Sequence, residues 1–266
     1  MADDVRWGIL GTAHIAAGSF LPALREAGGG RPACVASRTA AAAETFAAAH
    51  GIDRSVEGYE ALLADSEIDA VYVPVPNAMH RTWTGAALEA GKAVLCEKPL
   101  CGTVEDTEAV LATSRRTGSL LWEAFVFPFH RQMARVRELL AGGAVGELRE
   151  IQSSFHFLLT NPANIRMSRE LEGGSLQDVG CYPIRLARLL FEDEAESLLA
   201  TWDASYFRAP GLRLFFLVPR AWTERILHLR LSVQCETVRT TSLQRWAGAV
   251  SEVRHGQTKA LSNGSW

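Results

Sequence analysis

Apolar residues along this chain come in two rhythms. Over roughly the first 120 positions they form short unbroken runs, at residues 5–10, 33–37, 70–75, 93–97 and 120–124, with a weaker run near Val56. Runs without polar alternation predict strands covered on both faces, as in a parallel sheet. Alanine-rich stretches with helical spacing separate them, at residues 39–50, 81–90 and 103–117. Each stops at a glycine (Gly51, Gly91, Gly118), and Thr39 and Thr103 stand where a helix cap belongs. Strand and helix in alternation predict an α/β fold with a doubly wound parallel sheet. After about Phe125 the rhythm changes. Residues 131–141 read as a helix halted by Gly142 and Gly143. Residues 147–157 then alternate between apolar and polar, the mark of a strand with one wet face and of an open, mainly antiparallel sheet. Another helix is expected from about Val179 to Leu190. The pattern divides the chain into residues 1–122, a nucleotide-binding type of domain, and residues 123–266, an α+β domain. Within the second, residues 205–266 are atypical, rich in arginine and poor in periodicity.

Composition narrows the picture. About half of the 266 residues are hydrophobic, enough for a real core, and the net charge is -3. No basic face for nucleic acid is visible, and no apolar run is long enough to cross a membrane. The first six residues, Met1 to Arg6, have no apolar stretch of the signal-peptide kind. Five cysteines stand at wide spacing, without a metal-ligand cluster. Unpaired thiols of this kind fit the cytoplasm.

The first run leads straight into Gly11-Thr12-Ala13-His14-Ile15-Ala16. This is a G-x-A-x-x-A variant of the dinucleotide-binding fingerprint. Gly11 permits the tight turn, Ala13 lets the backbone approach a pyrophosphate, and Ala16 lets the helix pack on the strand. An ordinary strand-to-helix turn would read similarly. The second run ends in Ser37-Arg38. An acid there would hold the ribose 2′-hydroxyl of NAD, whereas an arginine suits the 2′-phosphate of NADP, so NADP is expected and NAD stays open. The fourth strong run ends in Glu97-Lys98-Pro99, which puts Lys98 at the carboxyl edge of the sheet, where its cation could stabilise a developing alkoxide. A surface lysine before a turn is the plain alternative. In the second half, Gly173-Gly174 precedes Asp178 and Tyr182, four residues apart and so on one helix face. A carboxylate and a phenol suit a sugar hydroxyl, as hydrogen-bond acceptor and as proton donor or acceptor. A capping aspartate beside a buried tyrosine would look the same.

Taken together, these residues resemble the glucose-fructose oxidoreductase / inositol dehydrogenase / MocA family. The matching pieces are residues 7–13, Ser37-Arg38, residues 76–80 (Pro76-Asn77-Ala78-Met79-His80), Glu97-Lys98-Pro99, Glu123-Ala124-Phe125 and residues 174–182, in the family's order. The resemblance covers about residues 5–200. It implies a Rossmann domain holding NADP or NAD and a second domain whose open sheet joins copies of the chain into an oligomer. It implies that Lys98 and Tyr182 are catalytic and that Asp178, with His130, touches substrate. It also implies that Gly11, Thr12, Ala13, His14, Ile15, Ser37, Arg38, Pro76, Asn77, His80, Glu97 and Lys98 lie along the cofactor. Tyrosine at 182 looks like the xylose and dihydrodiol dehydrogenases and the deoxysugar ketoreductases, so the expected substrate is a sugar or polyol. Two features depart from the family. Residues 127–132 lack its usual arginine-then-proline order, and residues 205–266 look like a truncated or frame-shifted second domain. The competing reading is a dinucleotide-binding sensor, or a degenerate member without activity.

Overall fold

The computed structural model describes residues 4–159, 161 and 163–194, together with the strands Leu199–Thr201, Leu214–Phe216 and Ile226–Gln234. The chain divides into two compact units, 1–125 and 126–266.

The first unit is built on six parallel strands. These are β1 (Val5–Leu10), β2 (Gly30–Ser37), β3 (Arg54–Glu57), β4 (Ala70–Val73), β5 (Ala93–Cys96) and β6 (Leu121–Glu123), in the spatial order β3-β2-β1-β4-β5-β6. Single steps along a strand send neighbours to opposite faces. Ile9, Val35 and Tyr72 therefore join one core, with Ala16, Leu21 and Ala47. Leu10, Cys34, Ala36, Val71, Val73, Val94 and Cys96 join the other, with Leu62, Ala87 and Leu88. This is why the strands carry no polar alternation. The helices between them are α1 (Leu21–Ala27), α2 (Ala40–His50), α3 (Tyr59–Leu63), α4 (His80–Glu89) and α5 (Val104–Thr117). Thr39 caps α2 by accepting from the Ala42 N–H, and Thr103 caps α5 by accepting from the Asp106 N–H. Gly51 and Gly118 end these helices in the left-handed conformation that the missing Cβ allows. Helical backbone begins already at His14 and passes through a wide π-type turn, Ala16–Phe20, before α1.

The second unit contains α6 (Arg131–Ala141), β7 (Glu150–Leu158), α7 (Cys181–Phe191), β8 (Leu199–Thr201), β9 (Leu214–Phe216) and β10 (Ile226–Gln234). A π-type turn, Leu176–Gly180, runs directly into α7. Val179 and Ala187 seat this segment against Phe157 and Ile151 of β7. The expectation of a mainly antiparallel sheet needs correcting for the described strands. β8 and β9 pair antiparallel, but the longest pairing, β7 with β10, is parallel over its full length. Alternation along residues 147–157 reports one covered face and says nothing of a partner's direction. The partner here lies far along the chain, so no tight hairpin imposes the antiparallel choice. The expectation of an incomplete sheet rests largely on residues 202–213, 217–225 and 235–266, which lie outside the described residues.

Candidate active site

The strand order sets the geometry. β1 is followed in space by β4, so the winding reverses between them, and the carboxyl ends of β2, β1, β4 and β5 lie side by side. A crevice at that switch point is where open α/β sheets take ligands. The cofactor candidates of the first unit occupy these four ends: 11–15 after β1, 37–38 at β2, 76–80 after β4 and 97–98 after β5.

At β1 the chain turns sharply at Gly11, whose φ of 94° lies in the region that favours glycine. Its N–H donates to Ala36 O at 2.8 Å, tying the turn to β2. A Cβ at this position would lie 3.3 Å from the Tyr59 hydroxyl. Thr12, His14 and Ile15 are exposed, and Ala16 is fully buried against the sheet. At β2, Ser37 is buried and Arg38 is exposed. Tyr59, the first residue of α3, joins this corner unforeseen. Its ring meets Trp83 edge-on at 4.8 Å. Burial raises its phenol above the ordinary value, and the Arg38 charge pulls the other way.

Two turns beyond β4 and β5 are clamped together. His80 is fully buried, with Nδ1 2.8 Å from Pro99 O and Nε2 2.9 Å from Val75 O. Both neighbours are carbonyl oxygens, and the ring lies between them. The imidazole therefore acts here as a brace between the turn holding Pro76 and Asn77 and the turn holding Lys98. The Lys98–Pro99 peptide is cis. Leu100 N donates to Glu123 Oε1 at 2.9 Å, and the Tyr72 hydroxyl donates to Glu97 Oε1 at 2.6 Å. Burial and the adjoining Glu97 carboxylate push the Tyr72 phenol strongly upward, which keeps it a donor. Tyr72 also stacks on Phe20 at 4.1 Å. Lys98 is half-buried on a turn held from three sides.

In the second unit, Asp178 and Tyr182 fall one helical turn apart, where the π-type turn meets α7. Arg166 Nε donates to Asp178 Oδ2 at 2.8 Å. The Tyr182 ring lies against Phe127 at 5.9 Å and Phe155 at 5.5 Å. His130 is exposed and caps α6, its Nδ1 accepting from Gln132 N at 3.2 Å. That cap uses one ring nitrogen and the substrate role expected of His130 would fall to the other. Tyr59, Tyr72, Arg166, Phe127 and Phe155 carried no spacing signal, because each reaches its partner through the fold. Glu123 did stand in a motif, without a role. Among the described residues, no group of three or more His, Cys, Asp or Glu gathers as a metal would need.

Two family models match this arrangement. Residues 5–125 match the oxidoreductase family with an NAD-binding Rossmann fold, and residues 133–237 match the GFO/IDH/MocA C-terminal domain. The chain belongs to the Gfo/Idh/MocA family of oxidoreductases. It is 43% identical over 194 residues to a dTDP-3,4-didehydro-2,6-dideoxy-alpha-D-glucose 3-reductase of Streptomyces violaceoruber, covering 71% of this chain and 55% of that one. It is 44% identical to D-xylose 1-dehydrogenase (NADP(+)) 2 of Haloferax volcanii, covering 69% of this chain and 56% of the relative. It thus spans under two thirds of the length of these curated relatives. A 3-ketoreductase from Actinomadura kijaniata, crystallised with NADP and TDP-benzene, superposes with a TM-score of 0.78 at 34% identity, over 89% of this chain and 71% of that one. Two further structures of that ketoreductase carry a replacement of one tyrosine or of one lysine.

Proposed function

We propose that this chain is an NADP-dependent oxidoreductase that interconverts a hydroxyl and a carbonyl on a sugar or related polyol. The observation that carries the reading is the row of strand ends at the switch point, with a glycine turn, an exposed arginine and a clamped lysine in adjacent places. The residues fit the cofactor. Gly11 leaves a cradle that a side chain would crowd, the chain enters helical backbone at His14, where a helix start suits a pyrophosphate, and Arg38 offers two donors to a 2′-phosphate. Pro76, Asn77, Glu97 and Lys98 line the next two strand ends, with His80 holding their turns. When bound, NADP supplies or accepts the hydride.

The chain's own part is the oxygen. The Lys98 ammonium stabilises negative charge there, and Tyr182 gives the proton in reduction and takes it in oxidation. Asp178 accepts a hydrogen bond from a substrate hydroxyl, and His130 Nε2 is a second polar contact. In the A. kijaniata ketoreductase the replaced lysine and tyrosine stand as far apart along the chain as Lys98 and Tyr182 do here, which supports both assignments. The same reading joins copies through the second unit's sheet and puts the protein in the cytoplasm. A sensor without activity is the less supported reading, because it leaves Lys98, Asp178 and Tyr182 unused. The test is steady-state kinetics on aldoses with NADP. Tyr182→Phe should lower kcat by about 10²–10⁴-fold while NADPH binding, followed by its fluorescence, stays unchanged. A kcat close to the parent's overturns the assignment.

A further inference from the structure

We infer that Arg166 is a positioning residue for Asp178, and that the Gly173–Gly174 pair exists to deliver it. The inference rests on the proposed role of Asp178 in holding substrate. Arg166 lies on a short 3-10 turn, Ile165–Met167, which Asn164 caps by accepting from the Arg166 N–H at 3.0 Å. The backbone of that turn is pressed against the glycines. Gly174 N donates to Arg166 O and Gly173 N to Ser168 O, each at 2.8 Å. A Cβ on Gly173 would stand 2.5 Å from Arg166 O, closer than real Cβ atoms come to anything. The glycines therefore do more than loosen the chain ahead of a helix. They let a distant turn dock where the helical segment begins, and the Asp178 N–H closes that segment onto Gly174 O at 3.0 Å.

The docking brings the Arg166 guanidinium onto Asp178 from the side. The Asp178 side chain is only 12% exposed, against 43% for Arg166. A solvent-exposed ion pair of two mobile side chains would do little. Here one partner is largely withdrawn from water and the other springs from a turn whose backbone is held by Asn164, Gly173 and Gly174. A carboxylate so placed needs its charge met, and a charge-assisted bond to one oxygen also fixes the direction of the group. Arg166 thereby sets the orientation in which Asp178 meets a hydroxyl, one turn before Tyr182.

The experiment is a double-mutant cycle on the full chain, with KM and kcat measured for D-xylose, D-glucose and D-fructose with NADP, and NADPH binding as the control. Asp178→Asn should raise KM, and Arg166→Ala should raise it roughly 10–100-fold, the scale of a misplaced positioning group, with kcat changed less and NADPH binding retained. The double variant should be no worse than Asp178→Asn alone. Arg166→Lys should recover part of the loss, and added guanidinium should lower KM in Arg166→Ala but not in Asp178→Asn. The Arg166→Lys arm remains readable if Arg166→Ala folds poorly. Additive effects in the cycle, or a normal KM in Arg166→Ala beside a raised one in Asp178→Asn, overturn this inference and leave the proposed function standing. A normal KM in Asp178→Asn overturns the substrate role of Asp178 and the inference with it. Failure of the parent to turn over any of the sugars overturns the proposed function itself.

Discussion

A methyl group on Gly173 has nowhere to go. Its neighbours are the backbone oxygens of Ile165 and Arg166, at 2.6 and 2.5 Å, and backbone cannot swing aside as the end of a side chain can. Gly8 is equally tight, but there the obstacle is the Leu62 Cδ2 methyl at 2.6 Å, which has rotamers to try. Gly173→Ala should therefore cost about 1–3 kcal/mol, the usual range for overpacking, and denaturant unfolding with a normal slope measures it. Unchanged stability would mean that the 165–168 turn moves freely. Only glycine's presence is visible in the sequence at such positions. Gly11 could be read because a turn motif surrounds it. Gly173 could be read as part of a motif, but the turn it accommodates could not, since Arg166 is separated from it by residues without a pattern.

Elements were legible where local rules suffice. The runs of Val, Ile, Leu and Ala in the first half became strands because both faces of each are buried, and Thr39, Thr103, Gly51 and Gly118 bound their helices as caps and stops do. Pairing beyond the neighbouring strand was less legible, as β7 and β10 show. The union of β1 with β4 has its own fastening at the amino edge. Arg6 N donates to Asp69 Oδ2 at 2.8 Å, Arg6 Nη2 donates to Asp69 Oδ1 at 2.8 Å, and Asp69 N returns a bond to Arg6 O at 2.9 Å. The Arg6 side chain and its backbone N–H together lower the Asp69 carboxyl from 3.8 to about 2. A carboxyl lowered on folding adds stability above its unfolded value and loses that stability as pH falls through its folded value. Asp69→Asn keeps an oxygen for the Arg6 N–H but removes the charge. Its melting temperature should lie modestly below the parent's near neutral pH, and the gap should close between pH 3.8 and about 2. A gap that persists at the acid end would assign the effect to packing instead. Both side chains are partly exposed, so added salt should narrow the gap as well.

At the scale of the whole molecule, the first unit could be read nearly end to end, and the second only where Gly173 to Tyr182 carries its motif. The difference is physical. A doubly wound sheet is written by local alternation of strand and helix, whereas an open sheet depends on partners whose distance and direction leave no local trace. The cofactor should bind where the first unit's legible pieces converge, and a ligand that binds only folded protein stabilises it by mass action. NADPH at about 100 times its Kd should add about 2.7 kcal/mol of apparent stability. At the same concentration NADH should add less, because it lacks the phosphate that Arg38 would bind. Hydrogen bonds to charged groups contribute about 1.5–3 kcal/mol, so Arg38→Ala should forfeit roughly that much of NADPH binding and little of NADH binding. The two nucleotides should then shift the melt of the variant equally. Arg38 is exposed and lies beyond the last residue of β2, so its removal should leave the unliganded melt in place. Calorimetric scans of parent and variant, each alone, with NADPH and with NADH, separate the terms. Equal shifts by the two nucleotides in the parent would remove Arg38 from the 2′-phosphate and return NAD to the site.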